Sequence, residues 1–184
     1  MNETLNDADQ KMGKAVGVAR EEFAAIRAGR VNPSMFSKLT ADYYGTPTPI
    51  QQLASFTSPE ARTILVAPFD MNAMSAIEKA IRDSDLGVNP TDDGKVIRCT
   101  FPELTEERRK EYIKVARTKA EEGRVAVRNI RRHAKQELER LEKDGEVGKD
   151  DVTGAEKRLD GMTKKHTDQI DEMLKHKETE LLEV

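Results

Sequence analysis

Apolar residues recur at steps of three and four in three separate stretches of the chain, which is the spacing that lines one face of an α-helix. These stretches run from Leu5 to Ile26, from Tyr112 to Leu141 and from Val152 to Leu181. Each apolar face is narrow and can be buried only against the other two, so the pattern predicts an antiparallel three-helix bundle. In the first stretch, Gly13 and Gly17 predict a point of close helix packing.

The second stretch predicts an unusually long helix. Thr105 is a suitable N-cap, and two glutamates follow it in the first turn. Gly145 and Gly148 interrupt the pattern after about Lys143. At about 1.5 Å per residue this helix is roughly 58 Å long, so the predicted bundle is a rod.

The segment between the first and second stretches has a different pattern. Lys38–Tyr44 and Lys95–Phe101 alternate apolar and polar residues, and 62–67 is a short β-branched run, so all three predict strands. Gly45–Pro49 and Thr91–Gly94 predict turns. One amphipathic helix is marked by Met74, Ile77, Ala80 and Ile81.

The placement of proline supports a division into two domains. All seven prolines lie from Pro33 to Pro102, and the flanks have none, as long uninterrupted helices require. The predicted fold class is α+β: an elongated antiparallel three-helix bundle of residues 1–30 and 105–184, with a small β/α/β domain of residues 31–104 inserted into it. Two chain crossings side by side join these domains and can form a hinge.

Charge is distributed unevenly along the 184 residues, although the formal net charge is only -3. Residues 108–135 carry eleven Lys or Arg against three Glu, a net charge of +8. Residues 136–184 carry nine against fifteen acidic residues, a net charge of -6. The near-neutral total is therefore a cancellation between a basic segment and an acidic one.

The basic side chains of the second predicted helix form a stripe on its surface. At about 100° per residue, Arg109, Lys110, Arg117, Arg124, Arg128, Arg131 and Lys135 fall within about 100° of one another. The stripe lies roughly 90° from the apolar face, and few glutamates stand at i+4 to match it. Arginine suits phosphate recognition, and exposed aromatic residues for stacking on bases are few, so we expect a surface for folded RNA. The alternative is a solvated face, or one that meets the acidic third helix.

Chemistry of other kinds finds little support in the sequence. The chain has no Gly-rich phosphate loop, and His166 lies in the apolar face of the third helix, where a hydrogen-bonded core histidine is expected rather than a metal ligand. The single cysteine, Cys99, excludes an internal disulfide and is expected to be a buried thiol. Asp92–Asp93 and Asp150–Asp151 suit turns or helix caps. We expect no enzyme, no catalytic residue and no metal site.

Targeting signals are also lacking. The first residues have neither the basic region nor the apolar run of a signal peptide, and no stretch has the length needed to cross a membrane. A single cysteine suits a reducing compartment. The expected location is therefore the cytoplasm, with no membrane contact.

Five segments of the chain are similar to segments of the bacterial ribosome recycling factors. They are residues 26–33, 42–50, 84–90, 104–109 and 127–132, and they occur in the right order over essentially the whole chain. The resemblance implies an L-shaped protein in which a three-helix bundle is joined by a hinge to a small β/α/β domain.

The resemblance also implies a function in protein biosynthesis. Such a factor binds the post-termination ribosome and, with elongation factor G and GTP, promotes its splitting into subunits for a new round of translation. The bundle would lie on large-subunit ribosomal RNA, and the small domain would face elongation factor G and contact the small subunit. Elongation factor G uses the GTP, so the chain itself, an expected monomer, would need no cofactor.

The expected functional residues come from the stripe and from the resemblance together. Ribosomal RNA is expected to contact Arg27, Arg109, Arg117, Arg124, Arg128, Arg131 and Arg132. Four of these, Arg27, Arg109, Arg128 and Arg131, match family arginines that contact RNA. The expected hinge consists of Gly29, Arg30, Val31, Asn32 and Pro33 in one crossing and Glu103, Leu104 and Thr105 in the other.

Two other classes of function stay open from the residues alone. A helical adaptor or chaperone-like protein would bind other proteins through the rod, by apolar contacts that ribonuclease does not affect. An enzyme that uses the insert as a substrate domain would need convergent polar residues, which the sequence does not supply. Co-sedimentation with large ribosomal subunits that salt abolishes would favour the RNA-binding reading.

Overall fold

The computed structural model describes residues 1–183 of the chain. These residues form two compact units. The first unit contains residues 1–23 and 114–178, and the second contains residues 24–113 with the C-terminal residues from 179 onward. The predicted domain boundaries at 30/31 and 104/105 differ from these divisions and stay a prediction.

Three long helices supply the first unit. They are α1 (Asn2–Ala24), α3 (Glu106–Lys143) and α4 (Lys149–Leu182), whereas α2 (Met74–Arg82) lies in the second unit. Helices α1 and α4 both run antiparallel to α3, and their apolar faces pack together as the periodicity predicts. The fully buried side chains include Leu5, Met12, Leu138, Leu159 and Ile170. The predicted three-helix bundle is confirmed. None of the helices within residues 1–183 is long and apolar enough to span a membrane.

The ends of α3 are fixed by the residues that the sequence indicates. The Thr105 hydroxyl oxygen accepts the backbone N–H of Arg108 at 3.1 Å, which is an N-cap. At the other end Gly145 has a φ of 71°, and the N–H of Glu146 donates to the carbonyl of Leu141 at 3.0 Å. This pattern is a Schellman motif, which needs a left-handed residue that glycine adopts without strain. The predicted helix limits are confirmed.

Close helix packing occurs at a different glycine from the predicted pair. A Cβ on Gly123 of α3 would lie 3.1 Å from Cδ1 of Ile170 and 3.4 Å from Cβ of Ala19. An ideal Cβ on Gly13 or Gly17 meets no neighbouring heavy atom of residues 1–183 within 4 Å. The prediction for Gly13 and Gly17 is wrong, because the buried face of α1 runs along other positions of the helix.

The second unit contains two antiparallel sheets and one short α-helix within residues 24–183. A two-stranded sheet pairs β1 (Thr40–Tyr43) with β2 (Thr46–Pro49). A four-stranded sheet has the order β3-β4-β6-β5, and α2 (Met74–Arg82) packs in the same unit as predicted. The strands of this sheet are β3 (Ala54–Glu60), β4 (Thr63–Pro68), β5 (Pro90–Asp92) and β6 (Ile97–Thr100). The core of this unit includes Phe36, Ile64, Ile77, Ile97 and Phe101.

The predicted turn at Gly45–Pro49 is wrong beyond its first residue, because most of this segment is strand β2. The turn consists of Tyr44 and Gly45, and Tyr43 pairs with Thr46 directly across it. Starting from the hydrogen-bonded pair Tyr43 and Thr46, every second pair of the two strands has no backbone hydrogen bond between its residues. Pro47 and Pro49 fall in these non-hydrogen-bonded pairs, where the missing N–H of proline costs the strand nothing. Prolines at alternate positions are therefore compatible with this strand. Strand β3 was not predicted, because Pro59 and its polar residues obscure the alternation.

Candidate nucleic-acid interface

Three arginines of α3 form a row of ion pairs with α4. Arg117, Arg124 and Arg131 follow one another at intervals of seven residues, which returns to the same face of the helix after about two turns. Their partners in α4 are Glu178 at 2.8 Å, Asp171 at 2.7 Å and Asp160 at 2.7 Å. Three arginines of the stripe therefore form ion pairs with carboxylates of α4, and the sequence of α3 alone does not show these partners.

All three arginines use the same edge of the guanidinium for these bonds. The Nε–H of Arg117, Arg124 and Arg131 donates to the carboxylate in each case. Arginine has five N–H donors, so one bond through Nε leaves terminal N–H groups that other acceptors can use. The side chains keep 66%, 26% and 38% of their surface exposed. The carboxylates hold these guanidinium groups in place without covering them.

A second cluster lies on the surface of α3 itself. Glu121 accepts hydrogen bonds from Arg128 and from Arg124, the latter at 3.1 Å. The bond from Arg128, followed by the bond from Arg124, lowers the pKa of the Glu121 carboxyl. Burial alone would lower the pKa of Arg124, but its hydrogen bonds to Asp171 and Glu121 outweigh that effect and raise it. The cluster carries two cations and two carboxylates and is close to neutral.

Three exposed cations of α3 have no carboxylate partner among residues 1–183. They are Lys114, Arg132 and Lys143. At about 100° per residue, Lys114 and Arg132 share one angular position on the helix, next to that of Arg128, and Lys143 lies about 20° from it. The outer face of α3 therefore keeps unpaired positive charge at these three positions.

Arg27 lies in a different environment from the other predicted RNA contacts. Its side chain is 6% exposed, its terminal nitrogen donates to the carbonyl of Pro102, and its guanidinium carbon lies 5.4 Å from the centre of the Phe101 ring. Its Nε is buried without a hydrogen-bond partner among residues 1–183, and burial lowers the pKa of the group. The guanidinium of Arg27 is thus buried, unlike those on α3, and its contact with ribosomal RNA stays a prediction. In this structure Arg27 connects the first chain crossing to Phe101 and Pro102, which lead into the second crossing.

Arg109 has an intermediate position. Its side chain is half-buried near the start of α3, and its Nε is buried without a partner among residues 1–183. Arg109 lies in the second unit, whereas the other arginines of the stripe lie in the first. Of the seven predicted arginines, Arg27 and Arg109 thus belong to the second unit and the other five to the first.

The predicted hinge residues all lie within the second unit. Residues 28–32 and 103–104 line one cavity of about 580 Å³, so the two chain crossings are neighbours as predicted. Val31 is buried, and its N–H donates to the carbonyl of Ala61 at 2.8 Å. Asn32 caps a short 3₁₀ helix, Pro33–Phe36, by accepting from Ser34. Gly29 and Arg30 are the hinge residues that lie before Val31, the first hinge residue with a backbone hydrogen bond to the inserted segment.

Three residues to which the sequence assigned structural tasks have those tasks, whereas Thr91 and Asp92 of the predicted turn lie in strand β5. His166 is buried, with Nε2 2.9 Å from Oδ1 of Asp9. Asp93 accepts the backbone N–H groups of Val96 and Lys95, which lower the pKa of its carboxyl. Cys99 is buried in the core of the second unit, and burial raises the pKa of its thiol to about 12. Within residues 1–183, no group of three His, Cys, Asp or Glu is placed to bind a metal ion.

The sequence raised contact of the stripe with the acidic third helix as an alternative, but it did not identify the carboxylates of α4 that make this contact. A signal for two of them exists, since Asp171 and Glu178 are seven residues apart, as are Arg124 and Arg117. In antiparallel helices such equal spacing places the residues of each pair opposite one another. Asp160 breaks the interval, and its pairing with Arg131 could not be derived from spacing.

These features define a class of protein that combines a three-helix bundle, with ion-paired arginines on one helix, and a small α+β unit. In such a protein the candidate functional site is a binding surface. The family model of the ribosome recycling factor matches residues 19–182. Ribosome-recycling factors of Nocardioides sp. and Acidothermus cellulolyticus are 79% and 66% identical to the chain over 184 residues, with all of both chains covered. The chain belongs to the ribosome recycling factor family, whose members are translation factors and not enzymes.

Solved structures of this family have the same fold. The chain is similar to a solution structure of a ribosome recycling factor, with 39% identity, a TM-score of 0.79, and 100% of this chain and 97% of the other covered. It is also similar to the Thermus thermophilus factor that is described with Escherichia coli elongation factor G on the post-termination complex. That likeness has 41% identity, a TM-score of 0.70 and coverage of 99% and 98%.

Proposed function

We propose that this chain binds the post-termination ribosome in the cytoplasm and, with elongation factor G and GTP, promotes its splitting into subunits. Family membership over residues 19–182 supports this role. A relative of similar fold is described together with elongation factor G on a post-termination complex. The GTP belongs to the elongation factor, and this chain contributes binding and movement.

The observation that carries the proposal is the arrangement of arginines on α3. Arg117, Arg124 and Arg131 are held through Nε, with terminal donors left for another acceptor. Positioning a guanidinium before binding reduces the entropy lost when a phosphate is bound. We propose that these three, together with Arg109, Arg128 and Arg132, contact phosphates of large-subunit ribosomal RNA. Arg27 is left out because it is buried.

The ion pairs do not prevent this binding. An exposed pair of this kind contributes only about 0–1 kcal/mol to stability, because water screens the charges. Arginine can form two parallel hydrogen bonds with a phosphate, a stronger arrangement than the bonds through Nε alone. A phosphate can therefore share or replace the carboxylate at small cost, and the unpaired charges of Lys114 and Arg132 add attraction over a longer distance.

We further propose that residues 31–104 move as a domain relative to the bundle of residues 1–30 and 105–184. The axis would pass through 29–33 and 103–105, the two neighbouring crossings that line one cavity. The moving domain would contact elongation factor G and the small subunit, so that movement of the GTPase is transmitted to the bundle on the large subunit.

The test is a splitting assay with purified post-termination ribosomes, elongation factor G and GTP. We expect the chain to produce free subunits, and a reducible crosslink between residues 31–104 and the bundle to abolish splitting while leaving ribosome binding intact. The same double-cysteine variant after reduction, in a Cys99→Ser background, is the matched control. Full activity of the crosslinked form would contradict the moving domain, and no splitting by the unmodified chain would contradict the proposed function.

A further inference from the structure

An exposed aromatic patch lies at the β1–β2 turn of the second unit. Tyr44, Phe69 and Met71 are 76%, 72% and 51% exposed, which places them among the most exposed large apolar side chains within residues 1–183. The Tyr43 hydroxyl donates to Oδ2 of Asp70 at 2.8 Å, and the rings of Tyr43 and Tyr44 are 4.6 Å apart. These two contacts bring the turn next to residue 70, so exposed apolar side chains occur on two neighbouring segments.

The conformation of Tyr44 is unfavourable for its residue type. Its φ is 51°, the only positive φ at a residue other than glycine within 1–183. Gly45 follows with a φ of 81°, so the turn has two left-handed residues and is of the type that favours Asn-Gly. A bulky residue costs about 1 kcal/mol in this conformation. The backbone conformation therefore favours another residue at position 44, and the ring, which meets Tyr43 edge to face, stays mostly exposed.

The charged side chains within residues 40–49 and 69–73 are carboxylates. Asp70 accepts the N–H of Asn72 at 2.9 Å and the Tyr43 hydroxyl at 2.8 Å. The bond from Asn72, followed by the bond from Tyr43, lowers the pKa of its carboxyl, so Asp70 is ionised at neutral pH. Asp42 is exposed on β1, and no Lys or Arg occurs in 40–49 or 69–73. The two segments carry apolar and acidic side chains and no basic ones, which disfavours contact with nucleic-acid phosphates.

We propose that Tyr44, Phe69 and Met71, flanked by Asp42 and Asp70, form a docking site for a protein partner that presents arginine or lysine side chains. The site rests on the proposed function, in which the small domain contacts proteins while α3 contacts RNA. A guanidinium stacks on exposed aromatic faces and pairs with adjacent carboxylates, and tyrosine is enriched among residues that dominate protein interfaces. Methionine adapts its shape to an apolar partner surface.

A crosslinking experiment identifies what contacts the patch. The photoreactive residue p-benzoylphenylalanine replaces Tyr44 in the full chain, and the variant is irradiated in purified post-termination ribosomes with elongation factor G. We expect a crosslink to one protein peptide that contains Arg or Lys. The same residue in place of Val18, which is 59% exposed on α1, is the control for exposure alone. A product with RNA, or a yield no higher than at position 18, would overturn the proposal.

Substitutions then test whether the contact matters. Tyr44→Asn suits the turn and is expected to keep or raise the melting temperature, and Phe69→Ser removes a side chain that is mostly outside the core. We expect each to slow subunit splitting about tenfold, the equivalent of losing one strong interface contact of about 1.4 kcal/mol. Val18→Ser is the matched control and is expected to have no effect.

The outcomes separate this proposal from the proposed function. Salt-sensitive binding to isolated large subunits is expected to be unchanged in Tyr44→Asn and Phe69→Ser, because α3 is intact. Splitting at the unmodified rate in both variants would overturn the docking site and leave the RNA-binding role standing. Loss of large-subunit binding in these variants would also overturn it, since the patch would then belong to the RNA contact.

Discussion

Two arginines of the chain show how surroundings decide the task of one side chain. Arg131 is partly exposed on α3 and held by Asp160 through Nε, which leaves its terminal N–H groups for other acceptors. Arg27 is buried, and its guanidinium donates a hydrogen bond to the carbonyl of Pro102 within the second unit. The sequence around Arg27 offers no sign of this difference, because burial depends on a chain segment about 75 residues away. The stripe on α3 could be predicted from spacing, whereas this contact could not.

Cys99 supplies a prediction at the same scale. Its thiol has a pKa of about 12 in the folded chain, compared with about 8.5 for an exposed cysteine. The thiolate is the reactive form, so alkylation by iodoacetamide at pH 8 is expected to be at least about 100-fold slower in the folded chain than in the same chain in urea. Mass spectrometry of the alkylated fraction over time measures both rates. Equal rates would show that the core around Cys99 is open to solvent.

The raised pKa of the Cys99 thiol also makes the free energy of unfolding depend on pH in a definite direction. Below about pH 8.5 both states keep the proton and the thiol contributes no pH dependence. As the pH rises from there toward 12, the unfolded chain loses the proton first, and the free energy of unfolding falls. Cys99→Ala is expected to remove this alkaline component when unfolding curves are compared over that range.

At the scale of single elements, the long helices could be predicted and the short strands could only partly be predicted. The ends of α3 depend on local chemistry, a capping threonine and a left-handed glycine, which a sequence displays directly. Strand β2 depends on its register with β1, which decides whether Pro47 and Pro49 are tolerated. Register is a property of two strands together, so composition suggested a turn.

The helical glycines give a prediction that separates exposed from packed positions. Gly13→Ala and Gly17→Ala are each expected to raise the free energy of unfolding by about 0.5–1 kcal/mol, because alanine favours the helix and meets no neighbour. Gly123→Ala must displace the buried Ile170 side chain, at a cost of about 1–3 kcal/mol that cancels or exceeds the helical gain. Urea unfolding followed by circular dichroism measures all three. A Gly123→Ala chain as stable as Gly13→Ala would contradict the close packing.

At the scale of the whole chain, the pairing of α3 with α4 changes the meaning of the charge pattern. The basic segment and the acidic segment cancel in the total and also meet in space, through Arg117, Arg124 and Arg131. Sequence counting predicted an uncompensated positive face and could not show which carboxylates reach it. RNA binding is still favoured because the three guanidinium groups are held through Nε, and Arg124 also through a terminal nitrogen to Glu121, while other terminal N–H groups are left for phosphates.

The most direct test of that argument is binding to purified large ribosomal subunits over a series of salt concentrations. Each phosphate contact contributes about 0.7–0.9 to the negative slope of log affinity against log salt concentration. We expect a steep slope for the unmodified chain, and for Arg131→Glu a loss of affinity of about tenfold or more with a slope smaller by about one contact. Arg158→Glu makes the same change of net charge at an exposed position of α4 outside the row and is expected to bind nearly as well as the unmodified chain. A flat salt response, or equal binding by Arg131→Glu and the unmodified chain, would contradict the account.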